Sequence, residues 1–214
     1  LVISPEPLKA GKARPSCRRL WTFSVARWID IEIQVLRSTL PSRPVCLLAA
    51  SRPDDDRVAG LNLFGQFIGS WDIEATFWDH DGNVTAERAG EWHFGWVLQG
   101  RAIQDVLISP PLDEQGRGTP AHEYGSSFRL YDPRTDTWRV TWFAPVSGVI
   151  VDLVARRDGD EIVLDGSEPN GTLDRWVFSD IKPDTCTWTG YESTDEGRTW
   201  PLVERMTLRR RGSR

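Results

Sequence analysis

The sequence predicts an all-β protein, built as a single antiparallel up-and-down barrel of about ten strands. Nine of its eleven tryptophans follow residue 70, on short segments rich in Val, Ile, Thr and Phe. Aromatic and β-branched residues suit a pleated, half-buried surface, and these segments alternate apolar with polar residues. Turn-forming residues separate them at short spacing, and no helix-length segment lies between them. These observations favour a meander that closes on itself over a parallel α/β sheet.

The elements begin with a short helical turn over 61–67, which the acidic run Asp54–Asp56 can N-cap. In the first strand, Trp71, Ile73 and Ala75 fall on one face and the polar residues on the other. Gly, Pro, Asn and Asp mark the turns that follow. The predicted strands are 71–78, 84–98, 101–108, 122–131, 137–144, 149–156, 161–165, 173–179, 185–192 and 199–209.

Charge divides the chain into two parts. Residues 1–57 hold ten basic and six acidic residues and many prolines, which predicts an irregular N-terminal extension, disordered or loosely docked. Residues 58–214 form the predicted barrel domain and carry a net charge of −9 within a total of −5. We therefore expect no nucleic-acid partner, and the short apolar runs predict no membrane span. Cys17, Cys46 and Cys186 are too scattered for a disulfide framework or a zinc site, which favours a cytoplasmic location.

The start of the first strand carries a recognisable motif. Gly69-Ser70-Trp71 resembles the Gly-x-Trp signature that opens the first strand of lipocalin-like barrels of the calycin superfamily. In that superfamily the Trp closes one barrel end and packs under an Arg from the last strand. The resemblance implies structural roles for Gly69 and Trp71, with Arg205 or Arg209 stacked on the indole.

Three further blocks, at 129–133, 138–142 and 192–200, are similar to those of an uncharacterised bacterial family of lipocalin-like barrels. The resemblance extends over about residues 60–210 and implies the fold rather than an activity. The haem-binding members of the wider group, the nitrobindins, use a His on a late strand. No His follows His122 in this chain, which counts against such a site.

The three histidines are candidates for acid–base chemistry or metal binding. His80 falls in a predicted turn, His93 on the outer face of its strand, and His122 near a barrel mouth. Their spacing is not that of zinc ligands, and the chain has neither a nucleophile elbow nor a phosphate-binding loop. We therefore predict no metal site and no cofactor.

Charged residues on the Trp-bearing strands are further candidates, because an inward carboxylate needs a partner. An inward pair of Arg and carboxylate would orient a ligand with one polar end, whereas outer pairs would only bridge strands. The carboxylates are Glu91, Asp105, Glu123, Asp152, Asp174, Glu192 and Glu204, and the arginines are Arg101, Arg129, Arg139 and Arg175.

The mid-strand tryptophans predict the wall of a cavity, whereas Trp71 and Trp200 are predicted to be structural. We expect the barrel to bind a small, mostly apolar or aromatic ligand by burying its carbon atoms against indoles. The predicted ligand-binding residues are Trp92, Trp96, Arg129, Trp142, Trp176, Trp188 and Glu192.

Two other functions remain open. One is an enzyme of the cyclase, isomerase or decarboxylase type, which would use an Arg and a buried carboxylate with a raised pKa, namely Glu192, Glu123 or Asp105. The other is a barrel filled by its own tryptophans that serves as an interaction module. Association into a homodimer is also left open.

Overall fold

Residues 49–114 and 123–212 are described by the structure, a computed structural model, and they form a closed all-β barrel. The predicted fold class is confirmed. A 3₁₀ turn, Asp55–Arg57, and one short helix, α1 (Val58–Gly65), precede the first strand. The strands in the described ranges are β1 (Gly69–Trp78), β2 (Val84–Val97), β3 (Ala102–Ser109), β4 (Glu123–Asp132), β5 (Thr137–Ala144), β6 (Val149–Asp158), β7 (Glu161–Ser167), β8 (Leu173–Ser179), β9 (Thr185–Ser193) and β10 (Leu202–Arg210).

Strands that are consecutive in the chain are neighbours in the sheet. Each consecutive pair is antiparallel, and β1 also pairs with β10, which closes the barrel. The register places Trp71 of β1 between Trp92 of β2 and Arg210 of β10. In β1, Trp71 and Ile73 are buried while Glu74 is exposed, so the two-residue period sorts the strand into inner and outer faces.

One end of the barrel is filled by aromatic side chains beneath α1. Leu61, Phe64 and Phe67 are fully buried. The Phe64 ring centre lies 5.0 Å from that of Trp138, and the Phe67 ring centre lies 4.9 Å from that of Phe178. Because this end is packed, the space inside the barrel lies toward the opposite end. We call that opposite end the open end; its described connecting residues are 79–83, 110–114, 145–148, 168–172 and 194–201.

The Trp71 ring is covered by an arginine of the last strand, but not by either of the two expected. The Arg210 guanidinium lies 4.1 Å from the Trp71 ring centre, whereas that of Arg205 lies over Trp78. The expectation of Arg205 or Arg209 is therefore corrected. Arg205 is too far along the strand, and Arg209 is exposed on the outer face because successive strand residues point to opposite sides.

The segment before β1 is held to the barrel by its backbone. Ala50 N donates to Trp96 O at 2.8 Å, and Asp54 N donates to Gly100 O at 3.0 Å. Gly69, expected to be structural, opens β1 with a φ of +125°, a conformation that residues with a Cβ rarely adopt. The chain therefore enters the barrel through a sharp change of direction that glycine permits.

Several expectations fall outside the described residues. These are the structure of residues 1–48, including Cys17 and Cys46, and the position of His122. The boundary after residue 57 and the cytoplasmic location stay predictions. Cys186 is buried, and burial raises the pKa of its thiol to about 12. Among the described residues, the structure contains no helix with the length and apolar character needed to cross a bilayer.

Candidate ligand-binding site

A cavity of about 100 Å³ lies inside the barrel on the open-end side of the aromatic packing. Its wall includes a connected row of four tryptophans from β5, β8, β9 and β2. The ring centres of Trp142 and Trp176 are 6.4 Å apart, those of Trp176 and Trp188 are 5.5 Å apart, and those of Trp188 and Trp92 are 6.3 Å apart. Further apolar lining comes from Ile73, Ala75, Phe77, Leu107 and Met206. The inner cavity is therefore mainly an apolar, aromatic space.

A second compartment, of about 160 Å³, adjoins the first on the side of the open end. It shares several lining residues with the inner cavity, namely Glu123, Trp142, Trp176, Trp188 and Glu204. It adds three carboxyl groups, those of Glu168, Asp174 and Glu192. A ligand that reaches the indoles from the open end therefore passes acidic side chains.

Two of these carboxyl groups have strongly raised pKa values. Burial, together with the negative charges of Glu168 and Glu192, raises the pKa of Asp174 to about 7. Burial, together with the charge of Glu123, raises the pKa of Glu204 to about 8. Both groups therefore change protonation near neutral pH, inside the compartments that a ligand would occupy.

Three of the carboxyl groups form a compact cluster. One oxygen from each of Glu168, Asp174 and Glu192 lies within 4.8 Å of the others. Burial, followed by the charge of Glu168, raises the pKa of Glu192. His80, on the β1–β2 turn, approaches this cluster with Nε2 3.6 Å from a Glu192 oxygen. The cluster is a site of negative charge at the mouth of the barrel.

Within the described ranges, three buried polar atoms of the lining have no hydrogen-bond partner: Glu123 Oε1, Asp174 Oδ2 and Trp188 Nε1. Asp174 is 4% exposed. Buried polar groups in proteins are nearly always paired, because an unpaired one loses its hydration without compensation. These atoms are free to bind the polar part of a ligand.

A buried ion pair lies beneath the cavity and holds one of its wall residues. Arg129 Nε donates to Asp105 Oδ2 at 2.6 Å, and the Arg129 guanidinium lies 4.6 Å from the Phe64 ring centre. Asp105 Oδ1 accepts from Trp92 Nε1 at 3.0 Å and from Ser127 N at 3.2 Å. Because both Asp105 oxygens have donors, this carboxylate orients the wall residue Trp92 from below.

Five of the seven predicted ligand-binding residues line the two compartments; these are Trp92, Trp142, Trp176, Trp188 and Glu192. The other two, Trp96 and Arg129, line neither compartment. Trp96 is buried next to Gly65 at the end of α1, and Arg129 lies under Phe64. Both point inward, but at a depth where the aromatic packing below α1 already fills the barrel.

Other charged candidates lie outside the cavity. His93 is on the outer side of β2, where its ring nitrogens are 2.8 Å from Glu91 Oε2 and 2.9 Å from Ser70 Oγ. The Arg175 guanidinium lies 4.5 Å from the Trp200 ring centre, away from the row of four indoles. These residues therefore act on the outer surface of the barrel.

Five charged lining residues were not among the predicted ligand-binding set: Arg88, Glu123, Glu168, Asp174 and Glu204. Asp174 precedes Trp176 by two residues, and Glu204 precedes Met206 by two, so each shares an inner face with a lining residue. The two-residue period of the strands could therefore have identified both Asp174 and Glu204 as inward-facing. Glu168 lies in a turn, where no such period applies.

The comparisons with known proteins identify the fold. No family model and no curated protein matches the chain. The crystal structure of Rv2717c from M. tuberculosis is similar, with a TM-score of 0.52 and 15% identity, over 72% of this chain and 98% of that one. The S-type phycobiliprotein lyase CPES from Guillardia theta is also similar, with a TM-score of 0.50 and 12% identity, over 76% and 100%.

At these identities the likeness concerns the fold alone. Together with the closed ten-strand topology of the described residues, it defines a lipocalin-like barrel. Membership of the bacterial family that the sequence blocks resemble stays a prediction.

Proposed function

We propose that this barrel binds a small, mostly apolar ligand with one polar end, held in the cavity toward the open end. The main support is the connected row of Trp142, Trp176, Trp188 and Trp92 beside space that the protein leaves unfilled. Protein interiors are close-packed, so a cavity of this size lined by indoles favours a guest molecule.

The dimensions of the compartments indicate the kind of ligand. The inner cavity suits one aromatic ring or a short acyl chain, and the outer compartment suits a polar end group. Burial of about 150 Å² of ligand carbon contributes roughly 4 kcal/mol, which corresponds to millimolar affinity. Tighter binding therefore requires the polar groups of the outer compartment.

Intrinsic tryptophan fluorescence tests this proposal with propylbenzene as the probe. We expect a saturable change in emission, because four indoles surround the site. Ala75→Phe fills part of the inner cavity and is expected to remove the change. Glu74→Phe adds the same ring to the outer face of the same strand and is the matched control. Unchanged emission of the folded wild-type protein would count against binding.

A second candidate function is catalysis in the same cavity. Asp174 and Glu204, with pKa values of about 7 and 8, suit a general acid or base near neutral pH, and Arg88 lines the same inner cavity as Glu204. Native mass spectrometry of the purified wild-type protein and of Glu204→Gln separates the two functions. If the wild-type protein and Glu204→Gln co-purify with two different molecules that are related as substrate and product, an enzyme of the cyclase, isomerase or decarboxylase type is favoured.

The remaining expectations have less support. A barrel filled by its own tryptophans is disfavoured, because the aromatic packing under α1 ends below the cavity. Self-association into a homodimer stays a prediction, which light scattering of the purified protein tests directly.

A further inference from the structure

The charges of the outer compartment indicate what the polar end of the ligand is. Among the residues that the structure describes, five carboxyl groups and one guanidinium, that of Arg88, line the two compartments. We propose that the ligand is an amine, whose ammonium group binds among Glu168, Asp174 and Glu192 while its apolar body lies against the indoles. This inference rests on the proposed function, since it assigns the polar end of the same ligand.

The geometry of the cluster suits an ammonium group. Glu168 comes from the β7–β8 connection, Asp174 from β8 and Glu192 from β9, and their oxygens converge within 4.8 Å of one another. Asp174 is 4% exposed, and its Oδ2 is a buried acceptor that receives no hydrogen bond from any described residue. An ammonium group has three donors and no acceptor, so it can satisfy one oxygen of each carboxylate.

None of the described residues supplies a cation for Asp174. Arg88 acts electrostatically on Glu123 and Glu204. His80 approaches Glu192 at 3.6 Å and remains half exposed. In the described part of the chain, Asp174 forms no ion pair. A ligand cation would therefore supply the charge that the cluster lacks.

The indoles add a second source of attraction for a cation. Trp176 and Trp188 line the outer compartment together with Asp174, and an indole face attracts a positive charge within about 6 Å. Among the described residues, no arginine is stacked on Trp142, Trp176 or Trp188. These rings are therefore available to an organic cation with an apolar stem.

A divalent metal ion is the competing chemistry for three carboxylates. Ca²⁺ takes about six to eight oxygen ligands, and Mg²⁺ retains several waters. Part of the compartment wall beside the cluster is apolar, with contributions from Trp176, Trp188 and Val151. An amine uses both the carboxylates and this apolar wall, whereas a metal ion would use only the carboxylates.

The pKa values are in line with this proposal. Burial, together with the charges of its neighbours, raises the pKa of Asp174, and the pKa of Glu192 is also raised. A bound cation would relieve the repulsion between these carboxylates and favour their ionised forms. The free protein therefore holds the cluster in a state that a cation would stabilise.

Three probes that share one ring and differ in their end group test the proposal. They are phenethylamine, the neutral isostere propylbenzene, and 3-phenylpropionate, each titrated at pH 8 by tryptophan fluorescence. We expect phenethylamine to bind about tenfold more tightly than propylbenzene, because cation–π and carboxylate contacts act together. We expect 3-phenylpropionate to bind most weakly of the three.

Variants of the cluster locate the effect. We expect Asp174→Asn and Glu192→Gln each to weaken phenethylamine binding by about fivefold to tenfold, since each removes one charged acceptor. Propylbenzene affinity should change less than twofold. Glu161→Gln removes an exposed carboxylate at the opposite end of the barrel and is expected to change neither affinity. If circular dichroism shows that Asp174→Asn is unfolded, Glu192→Gln serves as the test alone, because Glu192 is only half-buried.

Each other outcome overturns the inference in a distinct way. Equal affinity for phenethylamine and propylbenzene would reject the amine while the proposed function stands. A response to calcium chloride alone, abolished by Asp174→Asn and without preference for the amine, would assign the cluster to a metal ion. Failure of all three probes to give a saturable change would reject both the inference and the proposed function.

Discussion

Asp105 and Arg129, on the adjacent strands β3 and β4, form a fully buried ion pair beneath the cavity. Arg129 Nε lies 2.6 Å from Asp105 Oδ2, and neither side chain exposes more than 1% of its surface. The same carboxylate accepts from Trp92 Nε1, so the pair connects the aromatic packing under α1 to the wall of the ligand site. This ion pair therefore affects both the stability of the fold and the position of Trp92 in the cavity wall.

The first prediction concerns this pair. We expect Arg129→Met to lower the free energy of unfolding by about 3–5 kcal/mol, because it leaves the Asp105 charge buried without a counterion. Urea denaturation measures the change. The double variant Asp105→Leu with Arg129→Met removes both charges and should recover part of the loss. A double variant as unstable as the sum of two single variants would contradict this explanation.

A second prediction concerns the closure of the barrel by Arg210. Its Nη1 donates to Ile68 O at 2.7 Å, and its Nη2 donates to Gln66 O at 2.6 Å, while its guanidinium covers Trp71. We expect Arg210→Ala to lower the free energy of unfolding by about 2 kcal/mol, since hydrogen bonds to a charged donor are lost. Arg209→Ala, at the exposed neighbouring position, should change it by less than about 0.5 kcal/mol. Equal losses in thermal unfolding would argue against a special role for Arg210.

The sequence predicted the strands well because the signal for each strand is local. The bounds of β5 and β8 agree with the expected ranges, and the expected alternation in β1 is present. A two-residue period identifies the inner face, and Gly, Pro, Asn and Asp mark the turns. Both signals are local in the sequence, so they identify a strand without information about the strand that pairs with it.

The errors arose where position depends on register or depth. Met206, Leu208 and Arg210 share the inner face of β10, so the two-residue period places Arg205 and Arg209 on the outer face. Only the pairing of β1 with β10, far apart in the chain, places Arg210 beside Trp71. Trp92 and Trp96 share an inner face, yet only Trp92 lines the cavity, because α1 packs against the barrel at the depth of Trp96. Periodicity reports the face of a residue and contains no information about its depth.

A third prediction uses two strand glycines that differ in their surroundings. A Cβ on Gly125 would overlap the Trp142 ring, whereas a Cβ on Gly95 would meet no atom within 4 Å. We expect Gly125→Ala to displace Trp142, to destabilise the protein by about 1–3 kcal/mol and to weaken propylbenzene binding. Gly95→Ala should leave stability unchanged or raise it slightly, by up to about 1 kcal/mol. Denaturation and fluorescence titration of both variants provide the comparison.

The result for ligand affinity is the more specific part of that test. A folded Gly125→Ala protein with wild-type affinity for propylbenzene would mean that the position of Trp142 does not matter to the site. The same loss of affinity in Gly95→Ala would show a general effect of strand substitution.

The last prediction concerns pH. The folded-state pKa of Asp174 is about 7, above the ordinary value of 3.8, so the folded protein binds this proton more tightly than the unfolded chain does. Such a group contributes stability that is fully present below the unfolded pKa and is lost as pH rises through the folded pKa. We therefore expect Asp174 alone to lower the free energy of unfolding by about 2.6 kcal/mol from pH 5 to pH 8, because each pH unit between the unfolded and folded pKa values contributes about 1.4 kcal/mol.

Substitutions distinguish the carboxyl groups of the cavity from other titrating groups. We expect Asp174→Asn to flatten the pH dependence, and Glu204→Gln to flatten its more alkaline part, since the pKa of Glu204 is about 8. The charged groups that face Asp174, namely Glu168, Glu192 and His80, are retained in the first variant, so the difference from wild type isolates Asp174. Glu161→Gln, at the opposite end, should preserve the wild-type curve. Parallel curves for wild type and Asp174→Asn in urea denaturation from pH 5 to pH 8 would contradict the assignment, because the raised pKa requires the folded state to retain that proton.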